Sequence, residues 1–445
     1  MASIVQQAWR RYRSVAIIYR IAAAFVLGSV VGLVVGEPAT NLQPLGDLFV
    51  RLLKMVIVPI VVFTLIMAAR NLSPKNLGKV GGQVILLYLL TTGVAIAIGL
   101  GVANLIEPGV GLHLKDALAK PAVETKQASG LASVLLNIVP ENPFSAMAEG
   151  KILGVIFFAL AFGVGLTVVR DEAEEGSDVY NGVQTTFDVV EAGAEVMFKI
   201  VWGIMEYGVI GVFALMAALF AQTGPEAILS LFKLFATLAI AIGLQISIVY
   251  LLVIVRGLVG HSPMDFVRGG KDAMVTALSI RSSSGTLPVT MSNADENLGI
   301  DQEVYSFSLP LGATINMDGT AMYLGIAAIF TANVVGKTLT ISEQLSILVT
   351  ALIASVGTAG VPGASIVMMT VVFTQVGLPI QAIAFVLGID PLLDRMRTMN
   401  NITGDLAVTT LVAKWNDAID FGTGVWVDDE SIDADDTPNT ITGGD

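Results

Sequence analysis

A stripe of polar and charged side chains interrupts a largely apolar stretch near the carboxyl end of the chain. Several of its members share one face of a helix, because at about 100° per residue they fall within roughly 100° of arc. These residues are Asp394, Arg397, Thr398, Asn401 and Asp405, and Asp390 precedes them. A charge at the bilayer centre costs about 3 kcal/mol on insertion scales, so such residues usually line a path for a substrate or an ion.

The stripe offers one cation and several oxygen ligands. The guanidinium of Arg397 forms a bidentate fork for a carboxylate, and the Asp394 carboxylate, one turn earlier, can accept from an ammonium group. A ligand with two carboxylates and an amine, such as aspartate or glutamate, satisfies both side chains. A structural ion pair between Asp394 and Arg397 at i, i+3 is the competing interpretation, and the two can coexist.

The composition is typical of an all-α polytopic membrane protein. The chain has 445 residues, of which 54% are hydrophobic and 14% are charged, whereas soluble proteins average about 25% charged residues. There is no cysteine, which excludes disulfides, thiolate metal sites and thiol catalysis.

The net charge of −13 is unevenly distributed along the chain. From Asn416 onward the sequence is acidic and has no lysine or arginine. We interpret 416–445 as a solvated, disordered tail, and the acidic surface as typical of a halophile. Such a surface repels phosphate, so we expect no nucleic-acid partner.

Apolar stretches long enough to cross a bilayer recur along the chain, since a spanning helix needs about 20 residues. They lie near 15–36, 45–69, 82–106, 131–169, 195–222, 226–256, 302–334 and 380–413. Arginine and lysine residues cluster before the first stretch and after the second, and both clusters belong on the cytoplasmic side. Eight crossings would place both termini in the cytoplasm.

Two further segments, 262–294 and 341–377, differ from ordinary spans. Each has two short apolar arms around a run rich in serine, glycine and proline, Ser282–Pro288 in the first and Ser355–Ser365 in the second. Such runs do not continue a helix, and in hydrocarbon their backbone groups must face protein or a wet cavity. We therefore predict two re-entrant hairpins, arranged as inverted repeats around a central site.

A third interruption, Asn316-Met317-Asp318-Gly319-Thr320, lies inside the 302–334 stretch. Glycine and polar neighbours favour local unwinding, which frees backbone carbonyls. Carbonyls, hydroxyls and a carboxylate make an all-oxygen environment that suits hard cations. Together with Asp405 this run predicts a Na+ site, and a kink capped by its own side chains is the alternative.

These motifs resemble the sodium-coupled glutamate/aspartate transporter family, especially its archaeal members. The resemblance extends from about Ile17 to Lys414 and is carried by four runs: Arg281–Thr286, Asn316–Thr320, Gly357–Gly363 and Asp394–Asp405. It implies eight transmembrane helices, two helical hairpins and a homotrimer in the cell membrane. With the acidic composition, it indicates a halophilic archaeon as the source.

The resemblance also implies an elevator-type transporter with two kinds of domain. A scaffold would comprise 1–79 and 111–225, and a transport domain would comprise 80–110 and 226–415. The transport domain would carry the substrate across the bilayer, followed in the chain by the acidic tail.

Carried over by motif, Arg397 would bind the side-chain carboxylate of the substrate and Asp394 its amino group. The remaining substrate-binding residues would be Arg281, Ser283, Thr320, Val361, Ser365, Thr398 and Asn401. Ser365 stands where archaeal relatives often have glycine. Members that carry C4-dicarboxylates generally lack an acidic residue at the position of Asp394, and neutral amino-acid members lack the arginine.

The resemblance further implies several Na+ sites. One would use carbonyls of Gly312, Asn316 and Asn401 with the Asp405 carboxylate, and a second would use carbonyls of Thr314, Ser355, Val356 and Thr358. A third would combine Tyr88, Thr91 and Thr92 with Asn316 and Asp318.

The function predicted from the sequence is Na+-coupled symport of L-aspartate or L-glutamate, with Na+ as the cotransported ion and no enzymatic activity. Proton- or Na+-coupled symport of C4-dicarboxylates is the alternative, and an anion channel is a more remote one. An intramembrane aspartyl protease would also use two buried aspartates, but Asp405 follows Ile402-Thr403-Gly404 rather than the expected Gly-x-Gly.

Overall fold

The computed structural model describes residues 17–70, 74–112, 139–149, 151–223, 226–356, 364–387 and 389–427, together with Tyr12, Ser14 and Val15. Within these residues the chain is helical, and the only extended pairing is an isolated antiparallel bridge between Ile300 and Ile419. The prediction of an all-α protein is confirmed for this part of the chain.

In its described residues the amino-terminal half of the chain forms six α-helices. They are α1 (Ile17–Val35), α2 (Gln43–Ala69), α3 (Pro74–Ile106), the short α4 (Pro143–Ala148), α5 (Ile152–Glu172) and α6 (Asp178–Thr223). α6 begins at Asp178 rather than near residue 195, because its first turns are polar and carry no apolar signal. α1 and α2 pack against α6, and α5 packs against α2.

The carboxyl-terminal half is built from shorter pieces. They are α7 (Glu226–Leu244, continued by a π-helical segment, Gln245–Val259), α8 (Pro263–Ile280), α9 (Ser283–Ser292), α10 (Gln302–Ile315), α11 (Asp318–Val334), α12 (Ile341–Val356), α13 (Ala364–Gln375), α14 (Ile383–Leu387) and α15 (Asp390–Trp415). The predicted span 380–413 is therefore divided, since α14 ends before α15 begins.

Several of these helices are suited to a bilayer by length and composition. Four in the described part of the chain could cross a membrane: Gly78–Ile106, Gly154–Glu172, Asp178–Gln222 and Ala227–Val259. Shorter apolar helices cover Tyr19–Val35, Val58–Met67 and Ile341–Ser355. These features are those of a multi-pass membrane protein, and the number of eight crossings stays a prediction.

The first predicted hairpin is formed by α8 and α9, which pack against each other. Its turn is tighter than the sequence indicated. Only Arg281 and Ser282 leave the helical conformation, with Arg281 in the left-handed region at φ 56°. Ser282 Oγ accepts from Gly285 N at 3.0 Å and caps α9, so Ser283–Pro288, predicted to interrupt the hairpin, is helical.

The second predicted hairpin corresponds to α12 and α13, which also pack against each other. The residues that join them, 357–363, lie outside the described residues. The predicted unwinding between α10 and α11 is present, because Asn316 and Met317 have ψ angles of 74° and 48°.

α15 lies at the centre of the carboxyl-terminal half. It packs against α3, α7, α8, α10 and α11, and every residue from Asn400 to Ala413 is buried. Surrounding protein therefore shields the polar stripe from lipid, as the cost of buried charge requires.

The chain continues beyond α15 in a docked segment rather than in a disordered tail from residue 416. Trp426 Nε1 donates to the Leu298 carbonyl at 2.9 Å, and the rings of His261 and Phe421 stack with centroids 3.7 Å apart. The prediction of disorder rested on the acidic composition of the segment and took no account of Phe421 and Trp426. Residues from Asp428 onward lie outside the described part.

The close approach of α11 to α15 depends on Gly319. A Cβ there would lie 2.7 Å from the Arg397 carbonyl oxygen and 2.8 Å from its Cα. We expect Gly319→Ala to force the two helices apart at a cost of about 1–3 kcal/mol, seen as a lower thermal unfolding midpoint in detergent. Gly101→Ala is the control, because its Cβ would meet nothing within 4 Å. Equal midpoints for the two variants would contradict the packing.

Candidate functional site

Arg397 is completely buried and is held by two carboxylates and one aromatic ring. Its Nη1 donates to Asp390 Oδ1 at 2.9 Å and its Nη2 to Asp394 Oδ1 at 2.8 Å. The guanidinium carbon lies 4.0 Å from the ring centroid of Tyr323, whose hydroxyl donates to Asp390 Oδ1 at 3.0 Å. We name these four residues the Arg397 cluster.

The Arg397 cluster contains the ion pair that the sequence offered as a competing interpretation. Asp394 pairs with Arg397 at i, i+3, and Asp390 adds a second carboxylate at i, i+7, two turns earlier on the same face. Removing one partner of such a buried pair typically costs about 3–5 kcal/mol. The pairing therefore stabilises α15 without excluding a ligand, provided that the ligand supplies a replacement anion.

Three buried polar atoms of predicted substrate-binding residues have no hydrogen-bond partner within the described residues. They are Arg397 Nε, Asp394 Oδ2 and Ser365 Oγ. Nε and Nη2 form one edge of the guanidinium, the edge that binds a carboxylate side-on. Within this edge Nε has no hydrogen-bond partner, while Nη2 donates to Asp394. A guanidinium with a free Nε and a carboxylate with an oxygen that accepts no hydrogen bond suit a ligand that carries both a carboxylate and an ammonium.

The turn of the first hairpin lies against this end of α15. Arg281 Nη1 is 3.8 Å from Asp394 Oδ2. Arg395 Nη1 donates to the carbonyls of Leu278 and Ser279 at 2.5 and 3.1 Å, which caps the end of α8. The structure thus places Arg281, one of the predicted substrate-binding residues, next to Asp394. Ser283, another of them, is buried at the beginning of α9, two residues after Arg281.

A second cluster surrounds Asp318, the first residue of α11, which is completely buried. Thr92 Oγ1 donates to its Oδ1 at 2.5 Å, and Tyr250 donates to its Oδ2 at 2.6 Å. Gln245 Nε2 lies 3.4 Å from the same oxygen. Thr91 Oγ1 donates to Asn316 Oδ1 at 3.3 Å, so four of the five residues predicted for the third cation site, all but Tyr88, contact one another in pairs. We name Thr91, Thr92, Gln245, Tyr250 and Asp318 the Asp318 cluster.

Asp405 lies beside the unwound residues between α10 and α11. Asn316 Nδ2 donates to Asp405 Oδ1 at 2.8 Å. Gly312 makes this contact possible, because a Cβ there would lie 2.5 Å from Asp405 Oδ1 and 2.7 Å from the Tyr88 hydroxyl. Tyr88 itself donates to the Ser308 carbonyl at 3.0 Å. Three of the four residues predicted for the first cation site, Gly312, Asn316 and Asp405, thus come together.

Asn401 connects the two clusters. Its Oδ1 accepts from Gly319 N at 2.8 Å, at the beginning of α11, and its Nδ2 lies 3.2 Å from Met317 Sδ. Thr320 is buried in the same turn of α11. Thr398 Oγ1 donates to the Asp394 carbonyl at 2.8 Å. A ligand bound at Arg397 would therefore lie close to the unwound backbone.

The other residues predicted for the sites have no hydrogen bond to the Arg397 or Asp318 cluster within the described part of the chain. The hydroxyls of Thr314 and Ser355 donate within their own helices, to the carbonyls of Leu311 and Leu352. Val356 ends α12, and Thr358 and Val361 lie outside the described residues. The second cation site and the contribution of the second hairpin to the substrate site stay predictions.

Sequence reasoning gave no role to several residues that complete the clusters. These are Gln245, Tyr250, Tyr323, Asp390 and Arg395. A signal existed for Gln245, since a lone amide in an apolar span marks a functional position. Asp390 lies two turns before Arg397 in the stripe, so helical spacing alone could have paired them.

The arrangement combines two kinds of chemistry within one set of packed helices. The Arg397 cluster can bind an anionic group and an ammonium. The carboxylates of Asp318 and Asp405, with amide and hydroxyl oxygens around them, can bind hard monovalent or divalent cations.

Comparison with known proteins identifies the family. The model described as the sodium:dicarboxylate symporter family matches residues 17–415. The proton/sodium-glutamate symport protein of Geobacillus stearothermophilus is 34% identical over 418 residues, which cover 91% of this chain and 95% of that protein.

Other relatives differ in the substrate that their names state. The proton/glutamate-aspartate symporter of Escherichia coli is 34% identical over 388 residues, covering 85% of this chain and 86% of that protein. The C4-dicarboxylate transport protein 2 of Polaromonas naphthalenivorans is 32% identical over 414 residues, covering 90% and 88%. These relatives are bacterial, so an archaeal, halophilic source stays a prediction.

Tyr323 separates two ways of supporting Arg397. Tyr323→Phe keeps the ring under the guanidinium and removes the hydroxyl bond to Asp390, whereas Tyr323→Leu removes both. Because a cation–π contact contributes about 0.5–2 kcal/mol, we expect Tyr323→Leu to bind the predicted ligand L-aspartate roughly 2- to 30-fold more weakly than Tyr323→Phe in calorimetric titrations.

Tyr207→Phe is the matched control, since the Tyr207 hydroxyl donates to Leu45 in the contact between α6 and α2. It should bind as the parent does. Equal affinity of Tyr323→Leu and Tyr323→Phe would show that the ring contributes nothing to the guanidinium.

Proposed function

This chain belongs to the sodium:dicarboxylate symporter family, and on that premise we propose that it is a secondary transporter for symport of Na+ with an acidic amino acid, L-aspartate or L-glutamate. The observation that carries the proposal is the pairing of Arg397 with Asp394, each with one buried polar atom that lacks a hydrogen-bond partner within the described residues. A diacid that also bears an ammonium satisfies both.

Substrate binding would exchange one ion pair for two. The side-chain carboxylate of the substrate takes the Nε/Nη2 edge of Arg397 and displaces Asp394 from Nη2. Asp394 then has both oxygens available for the substrate ammonium, while Asp390 and Tyr323 keep Nη1 and the ring face occupied. Arg397, Asp394, the side-chain carboxylate and the ammonium then each have an oppositely charged partner, which limits the desolvation penalty of binding.

Asn401 and Thr320 would bind the main-chain carboxylate of the substrate, as the family resemblance implies. Thr320 lies in the first turn of α11, where the helix dipole favours an anion, and Asn401 reaches that turn from α15. The Asn401 side chain already bonds Gly319 N there. The second hairpin, through Val361 and Ser365, would complete the site.

The positions of the Asp318 and Asp405 carboxylates support Na+ coupling. Asn316 links Thr91 on α3 to Asp405 on α15, so a cation bound there orders the unwound residues between α10 and α11. Those residues hold Asn401, and the effect of Na+ on substrate binding must equal the effect of substrate on Na+ binding. Each net positive charge carried inward gains about 2.3 kcal/mol per 100 mV of membrane potential.

Transport would use an elevator movement within a homotrimer. The scaffold, 1–79 and 111–225, would stay fixed while 80–110 and 226–415 move with the substrate. In support, α1, α2 and α5 pack on α6 or on one another, whereas α3 packs on α11 and α15 packs on the other helices of the carboxyl-terminal half.

C4-dicarboxylate symport is the second candidate, because a relative of this chain carries that name. Proton coupling is also open to test, since the names of other relatives include it. Asp394 favours an amino acid, because its Oδ2, which accepts no hydrogen bond within the described residues, would meet no donor on a ligand such as succinate.

Uptake into proteoliposomes of purified protein tests the proposal directly. With Na+ outside and choline inside, we expect saturable uptake of labelled L-aspartate that unlabelled L-aspartate and L-glutamate suppress and succinate does not. An imposed proton gradient without Na+ should give no uptake. Uptake driven by protons alone, or suppressed best by succinate, would overturn the assignment of ion or substrate respectively.

Asp394→Asn should change the preferred substrate. The amide retains the shape but cannot neutralise an ammonium, so a charge-assisted bond of about 1.5–3 kcal/mol is lost, equivalent to roughly 10- to 160-fold in affinity for L-aspartate. Succinate should compete better than in the parent, because its binding at Arg397 no longer leaves a buried Asp394 carboxylate without an ammonium partner. Asp301→Asn, on the exposed start of α10, is the control. Unchanged L-aspartate affinity in Asp394→Asn would remove Asp394 from the substrate site.

Asp405→Asn should act mainly on the ion. Loss of the carboxylate should move the Na+ activation curve of L-aspartate uptake to higher concentration by about tenfold or more, as for other altered metal sites. The uptake rate at saturating Na+ should fall less. A Na+ activation curve that superimposes on that of the parent would show that Asp405 is not a cation ligand.

A further inference from the structure

α7 contributes two polar side chains that no part of the predicted cation sites includes. Gln245 and Tyr250 are both completely buried, within a helix whose other residues are largely apolar. Both reach Asp318, which lies on α11. Such residues are expensive inside a membrane helix unless they meet a polar partner.

The local helix geometry explains how both residues reach one carboxylate. In an α-helix, residues five apart are rotated by about 140° and face different directions. The segment Gln245–Val259 is π-helical, and its i→i+5 hydrogen bonds bring residue i+5 close to the same side of the helix as residue i. Gln245 and Tyr250 therefore share a face, and the rare helix type coincides with the proposed cation site.

The contacts of the two side chains differ in kind. Tyr250 donates to Asp318 Oδ2 at 2.6 Å and accepts from Asn400 Nδ2 at 3.4 Å, which ties Asp318 to α15. Gln245 Nε2 makes two longer contacts, to the Thr91 carbonyl at 3.3 Å and to Asp318 Oδ2 at 3.4 Å. Tyr250 is thus a firm support, and Gln245 is weakly held.

The oxygen of the Gln245 amide has no interaction that accounts for its burial. Gln245 Oε1 is buried and has no hydrogen-bond partner within the described residues. An unsatisfied buried oxygen costs about 1–3 kcal/mol, whereas the Nε2 group lies against two oxygens that a hard cation would itself bind. The terminal torsion of glutamine is broad, so rotation of the amide exchanges its nitrogen for its oxygen at the same place.

We propose that Gln245 is a further ligand of the Na+ ion bound by Asp318, and that Tyr250 is the positioning residue that holds Asp318 for it. The Gln245 amide turns when Na+ binds, presenting Oε1 to the ion that now takes the Thr91 carbonyl and the Asp318 carboxylate. α7 thereby becomes a fourth wall of the cation site, beside α3, α11 and α15. This inference rests on the proposed Na+ coupling.

The test is the Na+ dependence of L-aspartate binding to the full-length protein in detergent, measured by calorimetry over a range of NaCl concentrations at constant ionic strength. Gln245→Met removes both polar atoms at similar length, and Gln245→Glu keeps an oxygen. Tyr250→Phe removes only the hydroxyl. Gln344→Met is the control, because that amide bonds Asn104 at an exposed position.

We expect Gln245→Met and Tyr250→Phe to require roughly tenfold more Na+ or higher for half-maximal binding, as is typical when a metal site loses a ligand or its support. Saturating Na+ should restore L-aspartate affinity close to that of the parent, which a folding defect would not allow. Gln245→Glu should need no more Na+ than the parent, and Gln344→Met should match it.

Superimposed Na+ curves for Gln245→Met and the parent would overturn the assignment of Gln245 as a ligand. If Gln245→Met fails to fold, the other two variants test the proposal. A Na+ curve of Tyr250→Phe that matches the parent contradicts it, and so does a Na+ curve of Gln245→Glu that is shifted strongly to higher Na+ concentration. A parent that binds L-aspartate equally well without Na+ would instead contradict the proposed function itself.

Discussion

A buried guanidinium imposes the organisation of the carboxyl-terminal half. Arg397 has no exposed surface, and a charge in that position must be matched by anions and hydrogen bonds in the protein. Asp390 and Asp394 supply the anions from its own helix, and Tyr323 supplies an aromatic face from α11. This requirement explains why α15, despite its polar face, lies inside a ring of other helices.

The same packing brings the ion chemistry within reach of the substrate chemistry. Gly319 permits α11 to touch the backbone of Arg397, and Asn401 bonds the first turn of α11 one helical turn further along α15. A cation that orders the unwound residues before α11 therefore changes the surroundings of any ligand at Arg397. The proposed coupling of ion and substrate therefore needs no long pathway, because both proposed sites lie at the beginning of α11.

Sequence reasoning found the features that follow from local rules. The stripe on α15 and the two interruptions all depend on spacing or on residues that end helices, and the structure contains each of them. The interruptions are shorter than predicted, since only Asn316 and Met317 of the run Asn316–Thr320, and Arg281 and Ser282 at the first hairpin, are not helical. Roles taken from the family motifs placed Thr91 and Thr92 beside Asn316 and Asp318. Substrate identity and ion stoichiometry stay predictions.

The missed residues depend on geometry that local rules do not supply. Gln245 and Tyr250 both contact Asp318 because α7 changes to a π-helix, and no residue type in that segment predicts this change. In the sequence Tyr323 is one aromatic residue of an apolar helix, and its role is visible only from its contact with Arg397 in the folded protein. The docking of residues 416–427 depends on the aromatic side chains of Phe421 and Trp426, which the surrounding acidic residues obscured.

Calorimetric titration of the parent protein with L-aspartate, in NaCl and in choline chloride of equal ionic strength, tests the central claim most directly. Simultaneous satisfaction of Arg397 and Asp394 by one zwitterionic diacid, with Na+ required to order the site, predicts heat in NaCl and none in choline chloride. It also predicts that succinate, which lacks the ammonium, binds far more weakly. Equal heats in both salts, or tighter binding of succinate, would contradict the account.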